Sequence, residues 1–223
     1  MSEATALIVG AAPAPDAADF YSTLIARAAY VIAADAGVSV CLAAGRVPDA
    51  CVGDFDSVDP ADLAHAERQG AELHTHPARK DESDLDLALG LARSKGFRAV
   101  DVTAASSGRL DHTLAALGTL VRAAPLRARC VEPDFIAHVV DADAHASLHL
   151  TCAPGTILSV FAVGGDAVVS ARGVSYPLDR TTLAPLSSLG LSNVAAASAQ
   201  TFQVARGRVL VIRSESSGGL RSP

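Results

Sequence analysis

The hydrophobic positions of the first 122 residues alternate between short apolar runs and longer segments with helical periodicity. The short runs predict strands at residues 6–9, 30–33, 50–52, 72–75 and 98–104, and the periodic segments predict helices at 16–29, 37–45, 59–70, 83–94 and 110–122. Strands that alternate with helices of this length are typical of βαβ units around a parallel sheet. This part of the chain is therefore predicted to be an α/β domain.

The pattern changes after about residue 130. Short strand-like runs at 135–140, 147–150, 156–163 and 209–212 are separated by turn formers, and long helical periodicity is absent. This pattern of short strands and turns indicates a second, all-β domain, either a sandwich or a small barrel. The predicted organisation is an α/β nucleotide-binding domain at 1–132, an all-β sandwich domain at 133–213 and a disordered Gly/Ser-rich tail at 214–223.

Composition narrows the possible functions. The formal net charge of −6 disfavours sequence-independent binding of nucleic acid, which needs a basic surface. No apolar run approaches the roughly 18 residues of a membrane span, and the N-terminus lacks the basic start of a secretory signal. The four cysteines are widely spaced without a Cys-x-x-Cys pair, which favours buried, reduced thiols over zinc ligands or disulfides. We therefore expect a cytoplasmic protein that binds neither nucleic acid nor membranes.

The first candidate motif follows the predicted strand at 50–52. It spans residues 53–57 and reads GDFDS. An extended backbone would place Asp54 and Asp56 on one side and Phe55 on the other, so that Phe55 anchors the strand end in the core. The alternative is a polar strand-to-helix loop in which Asp and Ser only form turns.

The second motif, residues 80–84 with the sequence KDESD, opens a predicted helix. Ser83 is a candidate N-cap, and acidic residues in a first helical turn are favoured by the helix dipole. That structural explanation accounts for one or two acids. It does not account for Asp81, Glu82, Asp84 and Asp86 together, which repel one another unless a cation lies nearby.

The third motif, residues 107–112 with the sequence SGRLDH, precedes another helix. Free backbone N–H groups at a helix start attract phosphate. Arg109 would lie at the positive end of that dipole, an unfavourable place unless it binds an anion. The alternative is a surface ion pair between Arg109 and Asp111. His112 either donates to a phosphate or packs under the helix.

The three motifs are more specific together than singly. The carboxyl ends of parallel strands meet at one edge of a sheet, so the motifs can share one crevice. Carboxylates gathered there suit Mg²⁺, for which the candidate ligands are Asp54, Asp56 and Asp84. Lys80 and Arg109 suit the phosphates of a substrate. The combination predicts a metal-dependent phosphoryl-transfer site.

These motifs resemble those of the thiamine pyrophosphokinase family. The resemblance rests on residues 34–37 (ADAG), 48–49 (PD), 52–57 (VGDFDS), 80–84 (KDESD) with 88–89 (AL), 107–112 (SGRLDH) and 190–193 (GLSN). The chain departs from the family pattern where Ala36 and Ser107 replace the first glycine of each doublet. It also lacks the tryptophan with which some relatives cover thiamine, and neither Tyr176 nor Phe202 can be matched to that role.

The resemblance implies a homodimer that holds thiamine between subunits and transfers diphosphate from ATP to the thiamine hydroxyl, releasing AMP. It implies Mg²⁺ as cofactor, and Asp84 or Asp111 as the group that accepts the hydroxyl proton. The implied ATP-binding residues are Asp35, Lys80, Asp81, Ser83, Gly108, Arg109 and His112. The implied catalytic residues are Asp54, Asp84, Arg109 and Asp111. The implied thiamine-binding residues are Ser192 and Asn193. The alternatives are another metal-dependent phosphotransferase or hydrolase, and a non-catalytic thiamine or nucleotide sensor.

Overall fold

The structure is a computed structural model that describes residues 5–77, 82–106, 108–123 and 125–215. The chain divides into two compact units, Met1–Pro133 and Asp134–Pro223. No described helix is long and apolar enough to cross a membrane.

The first unit is built around parallel strands. Its strands are β1 (Thr5–Ala12), β2 (Val31–Ala34), β3 (Ala50–Gly53), β4 (Glu72–Thr75), β5 (Ala99–Ala105) and β6 (Arg127–Val131), in the order β6-β5-β1-β2-β3-β4. Every neighbouring pair in this order is parallel. Strands buried on both faces form the centre, as the continuous apolar runs of β1, β2 and β3 require.

Helices connect these strands: α1 (Ala18–Arg27), α2 (Gly37–Ala43), α3 (Pro60–Arg68), α4 (Asp84–Ser94) and α5 (Leu110–Arg122). Their starts follow local sequence signals. The Asp59 side chain accepts a hydrogen bond from the backbone N–H of Ala61 at 2.8 Å, and Pro60 occupies the first helical position of α3. Ser83 and Asp86 form a capping box at the start of α4.

The second unit contains antiparallel strands only, among the residues described. They are β7 (Phe135–Asp141), β8 (Ser147–Thr151), β9 (Ile157–Ala162), β10 (Ala167–Arg172), β11 (Leu178–Leu183), β12 (Asn193–Val194), β13 (Ala199–Arg206) and β14 (Arg208–Ser214). They pair in the orders β12-β9-β14-β7 and β11-β10-β13-β8. Side chains from both sets, among them Val160, Val211, Val169 and Phe202, form one apolar core.

The mixed α/β class predicted from the sequence is confirmed, with an antiparallel part after the parallel one. The apolar pattern did not predict β6, β10, β11, β12 or β13. The predicted disordered tail begins too early, because Ser214 is the last residue of β14 and pairs with Phe135. The remainder of that tail from residue 216 lies outside the described residues.

Candidate active site

A cleft opens at the carboxyl edge of the parallel strands, where the strand order reverses. The chain runs outward from β1 through β2, β3 and β4 on one side, and then through β5 and β6 on the other. Open α/β sheets bind ligands at such a switch point. The cleft has a volume of about 330 Å³. It is lined by residues from the ends of β1, β2 and β5 and from α4 and α5, among them Gly10, Asp35, Asp84, Ala105 and His112.

Three carboxylates come together at this edge. Asp35 follows β2, and Asp54 and Asp56 follow β3. One carboxylate oxygen of each residue lies within 4.8 Å of those of the other two. Oxygen donors at this spacing can hold a hard divalent cation such as Mg²⁺. Asp35 was expected to bind nucleotide rather than metal, so the trio differs from the predicted set of Asp54, Asp56 and Asp84.

The backbone after β3 turns rather than continuing as a strand. Phe55 has φ of +61°, so the expectation of an extended segment at 54–56 is wrong. The turn still brings the carboxylates together, because the Asp56 backbone N–H donates to Asp54 Oδ1 at 3.1 Å. The Ser57 hydroxyl donates to Asp56 Oδ1 at 2.9 Å. Phe55 packs partly buried against the apolar core, as the sequence predicted.

Asp35 is the most constrained member of the trio. Its φ of +48° lies in the left-handed region, which Asp tolerates better than most residues. Its Oδ1 is buried and has no hydrogen-bond partner within the part of the chain that the structure describes. Burial raises the pKa of this carboxyl, and the negative charges of Asp84, Asp54 and Asp56 raise the pKa further, while a hydrogen bond from the Ala36 backbone opposes them. A bound cation would relieve both the repulsion and the unsatisfied oxygen.

Asp84 lies beside the trio without belonging to it. It is the first residue of α4, lines the same cleft as Asp35, and adds to the negative potential at Asp35. Ser83, expected to contact ATP, uses its hydroxyl in the capping box with Asp86. Lys80 and Asp81, also expected to bind ATP, lie outside the described residues.

Arg109 forms the surface ion pair that was the alternative to phosphate binding. Its Nε and Nη2 donate to the two carboxylate oxygens of Asp111 at 3.1 and 2.6 Å. The two side chains are 67% and 66% exposed. The hydrogen bonds from Arg109 lower the pKa of Asp111 to about 2. Arg109 is the N-cap of α5, while His112 in its first turn lines the cleft.

The residues expected to contact thiamine lie in the second unit. Asn193 is 5% exposed, and its side chain bridges both backbone groups of Tyr176: Oδ1 accepts from Tyr176 N–H at 3.0 Å, and Nδ2 donates to the Tyr176 carbonyl at 2.7 Å. Oδ1 also accepts from Val194 N–H. The amide therefore orders the segment that carries Tyr176. Ser192 has φ of +54°, and its backbone N–H donates to Ser159 Oγ at 3.1 Å.

Comparison with known proteins identifies the family. Residues 21–131 match the family described as thiamin pyrophosphokinase, catalytic domain. The thiamine pyrophosphokinase of Bacillus subtilis (strain 168) is 28% identical to this chain over an alignment of 194 residues, and the alignment covers 82% of this chain and 86% of that protein. The crystal structure of thiamin pyrophosphokinase from Geobacillus thermodenitrificans is 26% identical, covers 97% of this chain and 100% of its own, and has a TM-score of 0.79.

The chain belongs to the thiamine pyrophosphokinase family. The fold extends to distant relatives, since the thiamin pyrophosphokinase of Candida albicans superposes with a TM-score of 0.75 at 14% identity, over 96% of this chain and 90% of its own.

The geometry explains why one family glycine can be replaced here and its neighbour cannot. Ala36 has φ of −63°, which any residue adopts. Gly37 begins α2 directly against β1, and a Cβ there would lie 2.1 Å from the carbonyl oxygen of Val9. In the second doublet, Gly108 has φ of +84°, a conformation that favours glycine. Ser107 lies outside the described residues.

Two parts of the site were missed by sequence reasoning. Asp35 as a third metal ligand follows from the same rule that selected Asp54, because it also comes directly after a buried parallel strand. Glu132 and Tyr21, which form a buried hydrogen-bond pair at 3.0 Å, were not predicted. Neither residue had a usable signal, because β6 carries two arginines among its five residues and was not predicted as a strand.

Proposed function

We propose that this protein is a thiamine diphosphokinase that transfers the terminal diphosphate of ATP to the hydroxyl of thiamine and releases AMP. Membership of the thiamine pyrophosphokinase family supports this function. The single structural observation that supports it best is the carboxylate trio, of which Asp35 lines the switch-point cleft. A nucleotide in the cleft would bring its phosphates to the one place where the described residues gather three acids.

The donor set of Asp35, Asp54 and Asp56 fits Mg²⁺. All three offer oxygen, and the unsatisfied buried Oδ1 of Asp35 needs a positive partner. When bound, Mg²⁺ supplies positive charge that offsets the charge on the phosphate oxygens. The acidic trio by itself would repel ATP, so we expect nucleotide binding to depend on the metal.

We assign the proton-accepting role to Asp84 rather than Asp111. Asp111 is exposed and is not among the residues that line the cleft. Asp84 faces the cleft at the N-terminus of α4. Arg109 is exposed and can exchange Asp111 for phosphate oxygens, since solvent screens a surface ion pair and leaves it little net stability. Its planar fork suits two phosphate oxygens at once.

We also propose that the second unit recognises thiamine and forms a homodimer interface. Exposed apolar side chains cluster in sequence around the family motif at 190–193: Leu186, Leu189 and Leu191, with Tyr176 held by Asn193. Ser192 is the proposed direct contact to thiamine, and Asn193 supports it through the Tyr176 segment. A cytoplasmic location is supported by the four cysteines, all of which are buried thiols outside any disulfide.

The test is product analysis by mass spectrometry after incubation with thiamine, ATP and Mg²⁺. The proposal expects thiamine diphosphate and AMP in equal amounts, and loss of both when Mg²⁺ is chelated. Formation of ADP with thiamine monophosphate, or of free phosphate alone, would show a different phosphotransferase or a hydrolase. ATP binding without any turnover would indicate a sensor.

A further inference from the structure

Glu132 is a buried acid to which the proposed chemistry gives no role. It follows β6 directly and is 2% exposed. Acids are almost never buried this completely unless their oxygens are satisfied, because a buried charge is costly. Burial raises the pKa of Glu132, and hydrogen bonds from Ala105, Tyr21 and Ser106 oppose that rise. The carboxyl is therefore held in place by specific donors.

These donors come from two different backbone segments. The backbone N–H of Ala105 donates to Glu132 Oε1 at 2.9 Å. The Tyr21 hydroxyl donates to Oε2 at 3.0 Å and itself accepts from the backbone N–H of Ala14 at 2.8 Å. One carboxyl group thus links the end of β5 to the loop between β1 and α1.

Both linked segments form walls of the cleft. Ala105 lines it at the end of β5, and Gly10, Ala11 and Ala12 line it at the end of β1, two residues before Ala14. The two strand ends also approach closely, because a Cβ on Gly10 would lie 2.6 Å from the carbonyl oxygen of Ala104. Glu132 therefore connects the strands on either side of the switch point from beneath the cleft.

The backbone at the end of β5 is strained where Glu132 holds it. Ala104 has φ of +53°. For a residue with a Cβ this left-handed conformation is unfavourable. The next peptide N–H, that of Ala105, is the one bound by Glu132. The segment then continues to Gly108 and Arg109. The left-handed conformation of Ala104 sets the direction in which the chain leaves β5.

We propose that Glu132 is a positioning residue for diphosphate transfer: through Ala105 it sets the end of β5, from which the chain continues to Gly108 and Arg109, and through Tyr21 it sets the loop after β1. This inference rests on the proposed function for its kinetic consequences. It predicts that a change at Glu132 disturbs the positioning of the reacting phosphates more than the binding of thiamine.

Glu132→Gln is the main test variant. Glutamine keeps the size of the side chain but offers one acceptor oxygen and a donor NH₂. If the NH₂ faces Ala105, two donors oppose each other. If it faces Tyr21, the Tyr21 hydroxyl must accept from both Ala14 and Gln and its own proton loses an acceptor. In either orientation one wall of the cleft is released.

Thr103→Val is the matched control. Thr103 is fully buried in β5, and its hydroxyl donates to the Val131 carbonyl at 2.6 Å, next to Glu132 in sequence. The change removes a buried hydrogen bond at the same junction without touching either loop. A role of Glu132 in stability alone would make the two variants behave alike.

The experiment measures kcat and the KM values for ATP and thiamine at a temperature where circular dichroism shows all proteins folded. We expect Glu132→Gln to lower kcat by about tenfold, since a buried hydrogen bond that orders one wall of the cleft is lost, while KM for thiamine stays within about twofold. Thr103→Val should keep both parameters within about twofold of wild type. Wild-type kcat in folded Glu132→Gln, or an equal loss in Thr103→Val, would overturn the proposal.

Two further measurements keep the test decisive. Tyr21→Phe removes the link to the loop after β1, and it replaces Glu132→Gln if that variant does not fold. We expect it to raise KM for ATP by a few-fold without changing KM for thiamine. If wild type makes no thiamine diphosphate, ATP binding by the variants is measured by calorimetric titration with Mg²⁺ and ATP in the absence of thiamine. The proposed function would then fail. Weaker ATP binding by Glu132→Gln than by Thr103→Val would still support the positioning role of Glu132, and equal ATP binding by the two variants would refute it.

Discussion

Replacing Asp35 by asparagine should make the metal-free protein more stable and remove most of its stabilisation by Mg²⁺. The variant keeps the size of the side chain, and asparagine tolerates the observed φ of +48° at least as well as aspartate. What it removes is one of three charges whose oxygens lie within 4.8 Å of one another. It also removes the charged form of a carboxyl that burial disfavours.

The size of the effect follows from Coulomb's law. Two carboxylates 4.8 Å apart repel by roughly 1 kcal/mol in water and by about 3.5 kcal/mol at an effective dielectric constant of 20. The trio is only partly buried, so solvent screening favours the lower value. The Ala36 backbone N–H binds a neutral asparagine less strongly than a carboxylate, which offsets part of this effect. We therefore expect the free energy of unfolding to rise by about 1 kcal/mol, or Tm by about 2–4 °C for a chain of this size.

Magnesium should reverse the order of stability. A ligand at ten times its Kd adds about 1.4 kcal/mol to the free energy of unfolding. Wild type should gain this amount, whereas the variant, with two of three ligands and a weaker site, should gain little. The wild-type curve and the variant curve should therefore cross as Mg²⁺ is added.

The pH dependence supplies an independent check with a defined sign. The pKa of Asp35 is raised in the folded protein above its ordinary value. The folded state then binds this proton more tightly than the unfolded state, so the metal-free protein loses stability as the pH rises from the ordinary value through the folded one. Asp35→Asn should lack this component.

The assay is differential scanning calorimetry with EDTA or with a Mg²⁺ series. Asp16→Asn is the matched control, because Asp16 also has a left-handed φ of +60° but is exposed and outside the trio. The reasoning is refuted if metal-free Asp35→Asn is less stable than wild type, or if Mg²⁺ stabilises it as much as wild type.

Three other changes test separate parts of the site. Arg109→Lys keeps the charge but loses the planar fork, so kcat should fall by about tenfold or more with Tm unchanged; normal kinetics would leave Arg109 as a surface ion-pair residue. Gly37→Ala places a Cβ 2.1 Å from the Val9 carbonyl oxygen and should destabilise the fold by about 3 kcal/mol, measured by urea unfolding. The control is Gly90→Ala, whose added Cβ meets open space and should stabilise α4 by roughly 0.5–1 kcal/mol. Asn193→Ala should raise KM for thiamine and leave KM for ATP unchanged, because it releases the Tyr176 backbone; unchanged KM for thiamine would remove the second unit from thiamine recognition.

The parallel half of the fold was predictable because its signals are local. Strands β1, β2 and β3 are buried on both faces and read as short apolar runs, and α3 and α4 begin at recognisable caps. The prediction for β4 matches the structure at both ends, and so does the prediction for α5. The N-cap of α3 at Asp59 was also read correctly. The switch point then brings together residues that each follow a different strand, which is why Asp54, Asp84 and His112 were placed near one cleft.

The rest depends on contacts between residues distant in sequence. Strands β10 and β13 alternate buried and exposed residues over short lengths with many alanines, so their apolar signal is weak. The turn at Phe55 depends on its partners rather than on its own preference. The bond between Glu132 and Tyr21 spans 111 positions, and neither residue carries a local signal for the other.

The conformational cost in the first unit is concentrated at the ends of its strands, around the cleft. Asp35, Phe55 and Ala104 follow or end β2, β3 and β5, and all three adopt left-handed conformations that cost roughly 1 kcal/mol or more each. Asp35 adds a buried oxygen without a partner among the described residues. Such costs persist only where the surrounding structure over-determines the backbone, and at Ala104 the surrounding structure is Glu132 with its donors. A cation at the trio would offset the cost at Asp35, but no ligand is needed to hold Ala104. The two walls of the cleft are thus maintained differently: one by what the site binds, and the other by a carboxyl group that the fold itself buries.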